Sequence, residues 1–344
     1  MVAAPHKALP TRGFSVKRRI GAPTLALAAA LSIGVWLSGE AVLGGMSHPA
    51  SVQMHAAARI MQAATQVIRA EKRERGMLQP QSVDPNQTGL IGPEFTVTTT
   101  SLGVLAAKRT ATNPDFAAAL TRQIADLDLD DDAVVVALFS GSMVGANLAT
   151  LAAVEALGLE TVAISSLGAS MFGATDPEFT WLDMEELLAD RDIIGTRSGI
   201  ALVGGNRGTG HGLEPEGVDA LRASIERAGL EPLEGENLRD LLAKLTTAIE
   251  QQAGGGAALF VNAGGSVAAF GNCQNADVLP AGVIDYAPPC EGDVPGLIYT
   301  MAAKGVPVIH LLNMRGLAAQ WGLPYDPIPF ELVGNNRFVY GAAQ

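Results

Sequence analysis

The stretch AVVVALFSGSMVGANLATLAAVEALGLETVAIS, residues 133–165, decides the fold. It opens with an unbroken apolar run from Ala133 to Phe139. Such a run suits a strand covered on both faces, as parallel sheets require. Ser140 to Ala146 is a tight turn of small residues, and Asn147 to Leu157 reads as a helix. That helix stops at Gly158, a residue that accepts the left-handed conformation closing many helices. Thr161 to Ser165 is the next strand, so the stretch forms a βαβ unit.

The pattern recurs downstream. Strands are expected at Gly199–Val203, Ala257–Asn262 and Val306–Leu311, with helices from Pro215 to Gly229 and about Asn237 to Gln252. This alternation predicts an α/β domain, a mostly parallel sheet with flanking helices of the doubly wound type. Upstream, Phe95 to Thr100 is β-rich, and Asn113-Pro114 is a helix start followed through about Ile124. Asp126 to Asp132 opens like a calcium loop. However, Asp131 stands where that loop needs glycine and Ala137 where it needs glutamate, so it reads as a solvated turn.

The amino-terminal part is built differently. Residues 20–39 carry no charge and follow Lys7, Arg12, Lys17, Arg18 and Arg19. A helix needs about 20 mostly apolar residues to cross a bilayer, and flanking cations stay cytoplasmic. The expected order is a basic cytoplasmic tail at 1–19, a single-pass transmembrane anchor at 20–39, a juxtamembrane helix and linker at 40–93, and an extracytoplasmic domain at 94–344, in one lobe or two. A signal peptide cut near Gly39-Glu40-Ala41 is the alternative, and it sends the domain to the same compartment. Residues 52–75 should form a helix whose basic end (Arg69, Lys72, Arg73, Arg75) either faces solvent or touches lipid headgroups. Residues 76–93 are a Pro/Gly/Gln linker.

Charge excludes one class of partner. The chain has 344 residues and a net charge of −12. Beyond residue 19 there are 18 basic against 35 acidic groups, a balance of −17. A body this acidic is unsuited to nucleic acid. No phosphate-binding P-loop, dinucleotide fingerprint, HExxH or CxxC occurs, so neither a cofactor nor a metal is implied. Cys273 and Cys290 would pair outside the cytoplasm, which we expect over two separate thiols.

In open α/β sheets ligands bind beyond the carboxyl ends of the strands. Those ends supply Ser140, Gly141, Ser142, Ser166, the Gly204–Gly212 loop with Arg207 and His211, Gly264 to Ser266, and His310. Tight βα turns need Gly and Ser in any case. Ser142, His310 and Asp176 are candidates for a nucleophile triad, although the G-x-S-x-G elbow is missing. A buried core histidine is the competing reading of His310. Ser140, Gly141, Ser166, Arg207, His211 and Ser266 are candidate ligand contacts. Lys108 and Arg109, just before the Asn113 cap, either grip a carboxylate or phosphate or form a solvated pair.

Several segments resemble the poly-gamma-glutamate system protein family. They are Thr98–Gly103 with Ala107–Phe116, Phe139–Ser142 followed by Asn147, Ile164–Ser170, Asp176–Met184, and Gly305–Asn313 joined to Gly322–Pro327. They run in order from about 94 to 330. The resemblance implies an anchored protein working beside the ligase and membrane subunits that make and export poly-γ-glutamate. It supplies no reaction and no catalytic residue. The expected function is therefore an accessory role in poly-γ-glutamate synthesis or export. A serine-dependent hydrolase or transferase acting on γ-glutamyl or other amide bonds is the alternative. A polyglutamate handler should present cations, and Lys108, Arg109, Arg197, Arg207 and Arg315 are the candidates.

Overall fold

The computed structural model describes residues 48–341 apart from 206, 207, 255, 276, 277 and 285, together with 26, 28–32 and 34. The chain divides into a short amino-terminal unit, 1–46, and a body, 47–344. Most of the 20–39 run lies outside the described residues. Among the described residues, no helix is long and apolar enough to cross a membrane.

The body begins with helix α1 (Ser51–Glu74), whose Met54, Ala58, Met61 and Ile68 repeat at helical spacing and are all buried. The linker ends at a short strand, β1 (Thr99–Ser101). Two helices follow, α2 (Leu105–Ala111) and α3 (Asp115–Ala125). Then comes the βαβ unit: β2 (Val134–Ser140), a 3-10 turn at Gly141–Met143, α4 (Val144–Leu157) and β3 (Glu160–Ser166). Gly158 closes α4 in the left-handed conformation. A two-residue strand, β4 (Ala169–Ser170), pairs with β1 to form a separate small parallel sheet. Helix α5 (Trp181–Asp190) opens on a Thr180–Asp183 capping box. The chain continues through β5 (Ser198–Leu202), α6 (Pro215–Arg227), α7 (Leu238–Ala253), β6 (Leu259–Ala263) and α8 (Val267–Phe270). It ends with β7 (Gly282–Ile284), α9 (Leu297–Ala303), β8 (Val308–Leu311), α10 (Met314–Trp321) and α11 (Arg337–Tyr340).

The main sheet has the order β5-β3-β2-β6-β8-β7, parallel throughout except for β7 at its edge. Side chains alternate across a strand. Accordingly, Val135, Ala137 and Phe139 enter one apolar core with α1, α3, α4 and α5, while Val136 and Leu138 enter a second with α7 and α9. This explains the unbroken apolar run of β2. Helices therefore cover both faces of a mostly parallel sheet.

The basic end of α1 is divided between the core and the surface. Lys72 is buried, with its ammonium 6.0 Å from the Phe179 ring centroid, and the Arg75 guanidinium lies 4.7 Å from the same ring. Arg69 donates to Gln87 at 2.6 Å. Arg73 and Arg75 are exposed, so the solvated reading holds for them, and the correction is confined to Lys72, which packs inside the body.

Strand order places the functional edge. From β2 the chain moves outward to β3 and β5, then crosses back to β6 on the other flank of β2. The helices that follow β2 and β6, α4 and α8, pack into opposite cores, and in open α/β sheets such a switch is where ligands bind.

Candidate active site

Ser140 ends β2 and is paired in register with Ser166, the last residue of β3. Phe139 pairs with Ala263 on the other side, so the Ser140 and Gly264 turns stand at one height. Gly264 is needed there. Its φ is +111°, and a Cβ would lie 2.8 Å from the Ser140 Cβ.

On the β2/β3 side, the 3-10 turn projects Ser142 toward β4. The Ser140 Oγ accepts from the Ser142 N–H at 3.2 Å, and the Ser170 N–H donates to the Ser142 Oγ at 2.9 Å. Lys108 comes in from α2. Its Nζ donates to the Ser170 Oγ at 2.9 Å and to the Ser142 carbonyl. Only 5% of Lys108 is exposed, and among the described residues no carboxylate pairs with it. Burial therefore acts unopposed and lowers its pKa to about 7. At neutral pH a substantial fraction is a free amine, able to accept a proton. Both Ser142 and Ser170 are half-buried rather than sealed. Gly103 lies across this group as part of the strap after β1. A Cβ there would meet the Met171 carbonyl at 2.5 Å and the Lys108 Cε at 2.9 Å, so only glycine permits the approach.

The β6/β8 side is closed. Asn262 and His310 pair in register, and the Asn262 Nδ2 lies 2.9 Å from the His310 Nδ1. His310 is buried, sits edge-on to Phe270 at 5.6 Å, and has its pKa pushed down to about 4 by burial. The Ser266 Oγ donates to the Ser166 Oγ at 3.1 Å and accepts from the Ala268 N–H.

The structure does not assemble the Ser142–His310–Asp176 triad. His310 is held by Asn262, and the Asp176 carboxylate accepts from the Glu178 N–H at 3.0 Å. Lys108 and Arg109 are not a solvated pair either. Arg109 grips an internal carboxylate, with Nε donating to the Asp326 Oδ1 at 2.7 Å and a second bond from NH2 to Oδ2. Ser140 and Gly141 belong to the β2 turn, and Ser166 and Ser266 bind each other. His211 is exposed on the glycine-rich loop, while Arg207 lies outside the described residues. Cys273 and Cys290 form a disulfide with their Cα atoms 5.0 Å apart. Sequence reasoning named Lys108 and Ser142 separately and missed Ser170. Its one signal was the small-residue run Gly168-Ala169-Ser170 just past a strand end.

No protein-family model, no curated protein and no solved structure matches this chain.

Proposed function

We propose that this protein is a membrane-anchored, extracytoplasmic component of the poly-γ-glutamate system that acts as a serine-dependent hydrolase or transferase on γ-glutamyl or other amide bonds. One observation carries the chemical part: an amine with its pKa near 7 is buried, has no counter-ion among the described residues, and is hydrogen-bonded to the hydroxyl of a partly buried serine. A weak nucleophile is activated by an adjacent base, and lysine serves that role beside serine on unrelated folds. The charge-free 20–39 run behind its basic tail supports the single-pass anchor. The ordered segments between 94 and 330 support the system assignment, with the synthase subunits, the membrane and the polymer as partners.

A purely accessory role in synthesis or export is the second reading. It is favoured by the fate of the cations meant for the polymer. Arg109 is spent on Asp326, Arg197 on Glu186 and Asp190, and Arg315 lies 4.2 Å above the Tyr325 ring.

Polymer amount and chain length in a strain lacking the gene, complemented with wild type or Lys108→Met, separate the two. Longer or retained polymer with the variant supports the enzyme. Normal polymer with the variant, but little without complementation, supports the accessory role. Unchanged polymer without any complementation removes the poly-γ-glutamate assignment.

A further inference from the structure

We propose that Ser170 is the attacking residue of this site, with Lys108 as its base and Ser142 as the neighbouring hydroxyl that positions it and faces the developing oxyanion. The inference rests on reading the site as a serine-dependent hydrolase or transferase, and it selects between two serines that the sequence alone does not separate.

Geometry makes the selection. A base must lie within about 2.6–3.2 Å of the atom it deprotonates. The Lys108 Nζ meets that distance at the Ser170 Oγ, 2.9 Å away. It reaches Ser142 only through the backbone carbonyl, which holds the amine without giving it a proton to take. The Ser142 Oγ instead accepts the Ser170 N–H at 2.9 Å. Its own O–H proton is left to donate to an oxygen next to Ser170. The remaining edge serines are less suited: Ser140, Ser166 and Ser266 are each under one-tenth exposed. The register of the small sheet, Ser101 opposite Ser170, fixes the Ser170 backbone beneath the Gly103 strap.

The steps balance as an acyl transfer. The neutral Lys108 amine takes the Ser170 Oγ proton while Oγ bonds to the carbonyl carbon of the amide substrate. The carbonyl electrons move onto oxygen, beside the Ser142 hydroxyl. Collapse breaks the C–N bond, and the leaving amine takes the proton from the Lys108 ammonium. This leaves an ester on Ser170. Water, or an acceptor amine in a transferase, then attacks that ester. Lys108 receives the attacking group's proton and returns it to Ser170 Oγ as the ester breaks. No oxidant, metal or cofactor enters.

The test uses the full-length chain in detergent micelles with a fluorophosphonate probe, and the adduct is located by peptide mass spectrometry. The expected adduct is on Ser170, with a labelling rate that rises with pH through about 7. Ser170→Ala should abolish it. Ser142→Ala should slow it roughly tenfold without moving the pH midpoint, as a positioning group would. Lys108→Met should reduce it at least a hundredfold. Lys108→Arg, which keeps a cation and its donors but cannot accept a proton, should do the same. Thermal melting of each variant checks that it folds, and the two alanine variants decide the question if either lysine variant does not.

An adduct on Ser142 that survives in Ser170→Ala overturns the assignment and leaves the hydrolase reading standing. Wild-type labelling in folded Lys108→Arg overturns the base. No adduct on any serine of the folded wild type overturns both this inference and the reading it rests on.

Discussion

The two halves of the carboxyl edge use similar side chains to opposite ends. Above β2 and β3, Lys108, Ser142 and Ser170 form a group in which one member titrates near neutrality and the two serines are only partly buried. Above β6 and β8, Asn262, His310 and Ser266 are buried and bound to each other or to neighbouring turns. Histidine is the more usual catalytic base, yet here burial holds it neutral far below physiological pH. Lysine is usually charged and inert as a base, yet burial brings it to the working range. Desolvation drives both shifts downward. It brings the group that starts too high into the neutral range and carries the group that starts in range below it.

The sharpest way to break this contrast is Lys108→Met. Losing a general base typically costs about 10²–10⁴-fold in rate. We expect a drop of about 10³ in hydrolysis of a γ-glutamyl amide, measured on the full chain, against less than threefold for His310→Gln. Equal losses would erase the distinction between the halves.

Next in size is the staple on the closed side. Cys273 and Cys290 are 17 residues apart, and closing a loop of that length contributes about 3 kcal/mol on the chain-entropy estimate. The double serine variant should lose about that much in urea unfolding while it keeps the wild-type labelling rate.

Stability against pH sharpens the comparison further. Lys108 has a pKa of about 7 in the fold against 10.5 when free. Below pH 7 both states are charged, and the fold bears the burial cost in full. Between 7 and 10.5 the unfolded chain holds the extra proton, so stability rises with pH. His310, at about 4 against 6.5, also leaves the unfolded chain with more protons, so its stability is lost as pH falls from 6.5 to 4. Lys72 and Glu185 titrate in overlapping ranges, so each curve is read as wild type minus variant. Lys108→Met should remove the alkaline gain and His310→Gln the acid loss. Denaturant midpoints at pH 4.5, 6.5, 7 and 9.5 decide both.

The smallest effect is expected at Ser266→Ala. It deletes the bond to Ser166 and the cap on Ala268, and should cost about 1 kcal/mol in the same unfolding assay with no change in serine labelling. A loss of labelling would mean that the two halves form one site.

Part of this was legible in the chain. The β2–α4–β3 unit, the later parallel strands and the helix expected over about Asn237 to Gln252 follow the periodicity and punctuation closely. Other elements gave little signal. Strand β7 is three residues long and runs antiparallel, while β4 has only two residues, too few for a period to show. The sequence left the Lys108-Arg109 pair open between an anion grip and a solvated pair; helix α2 places Lys108 inward, because one turn of a helix sends adjacent residues in different directions.

The sequence alone determined the α/β class, the mostly parallel sheet and the edge where polar turns gather, because apolar runs and helix-ending glycines are local properties. Only the tertiary structure decided which polar residues act together. Lys108 and Ser170 are 62 positions apart, and Arg109 and Asp326 are 217. Burial, which lowers the pKa values of both Lys108 and His310, depends on what the rest of the chain packs around a side chain.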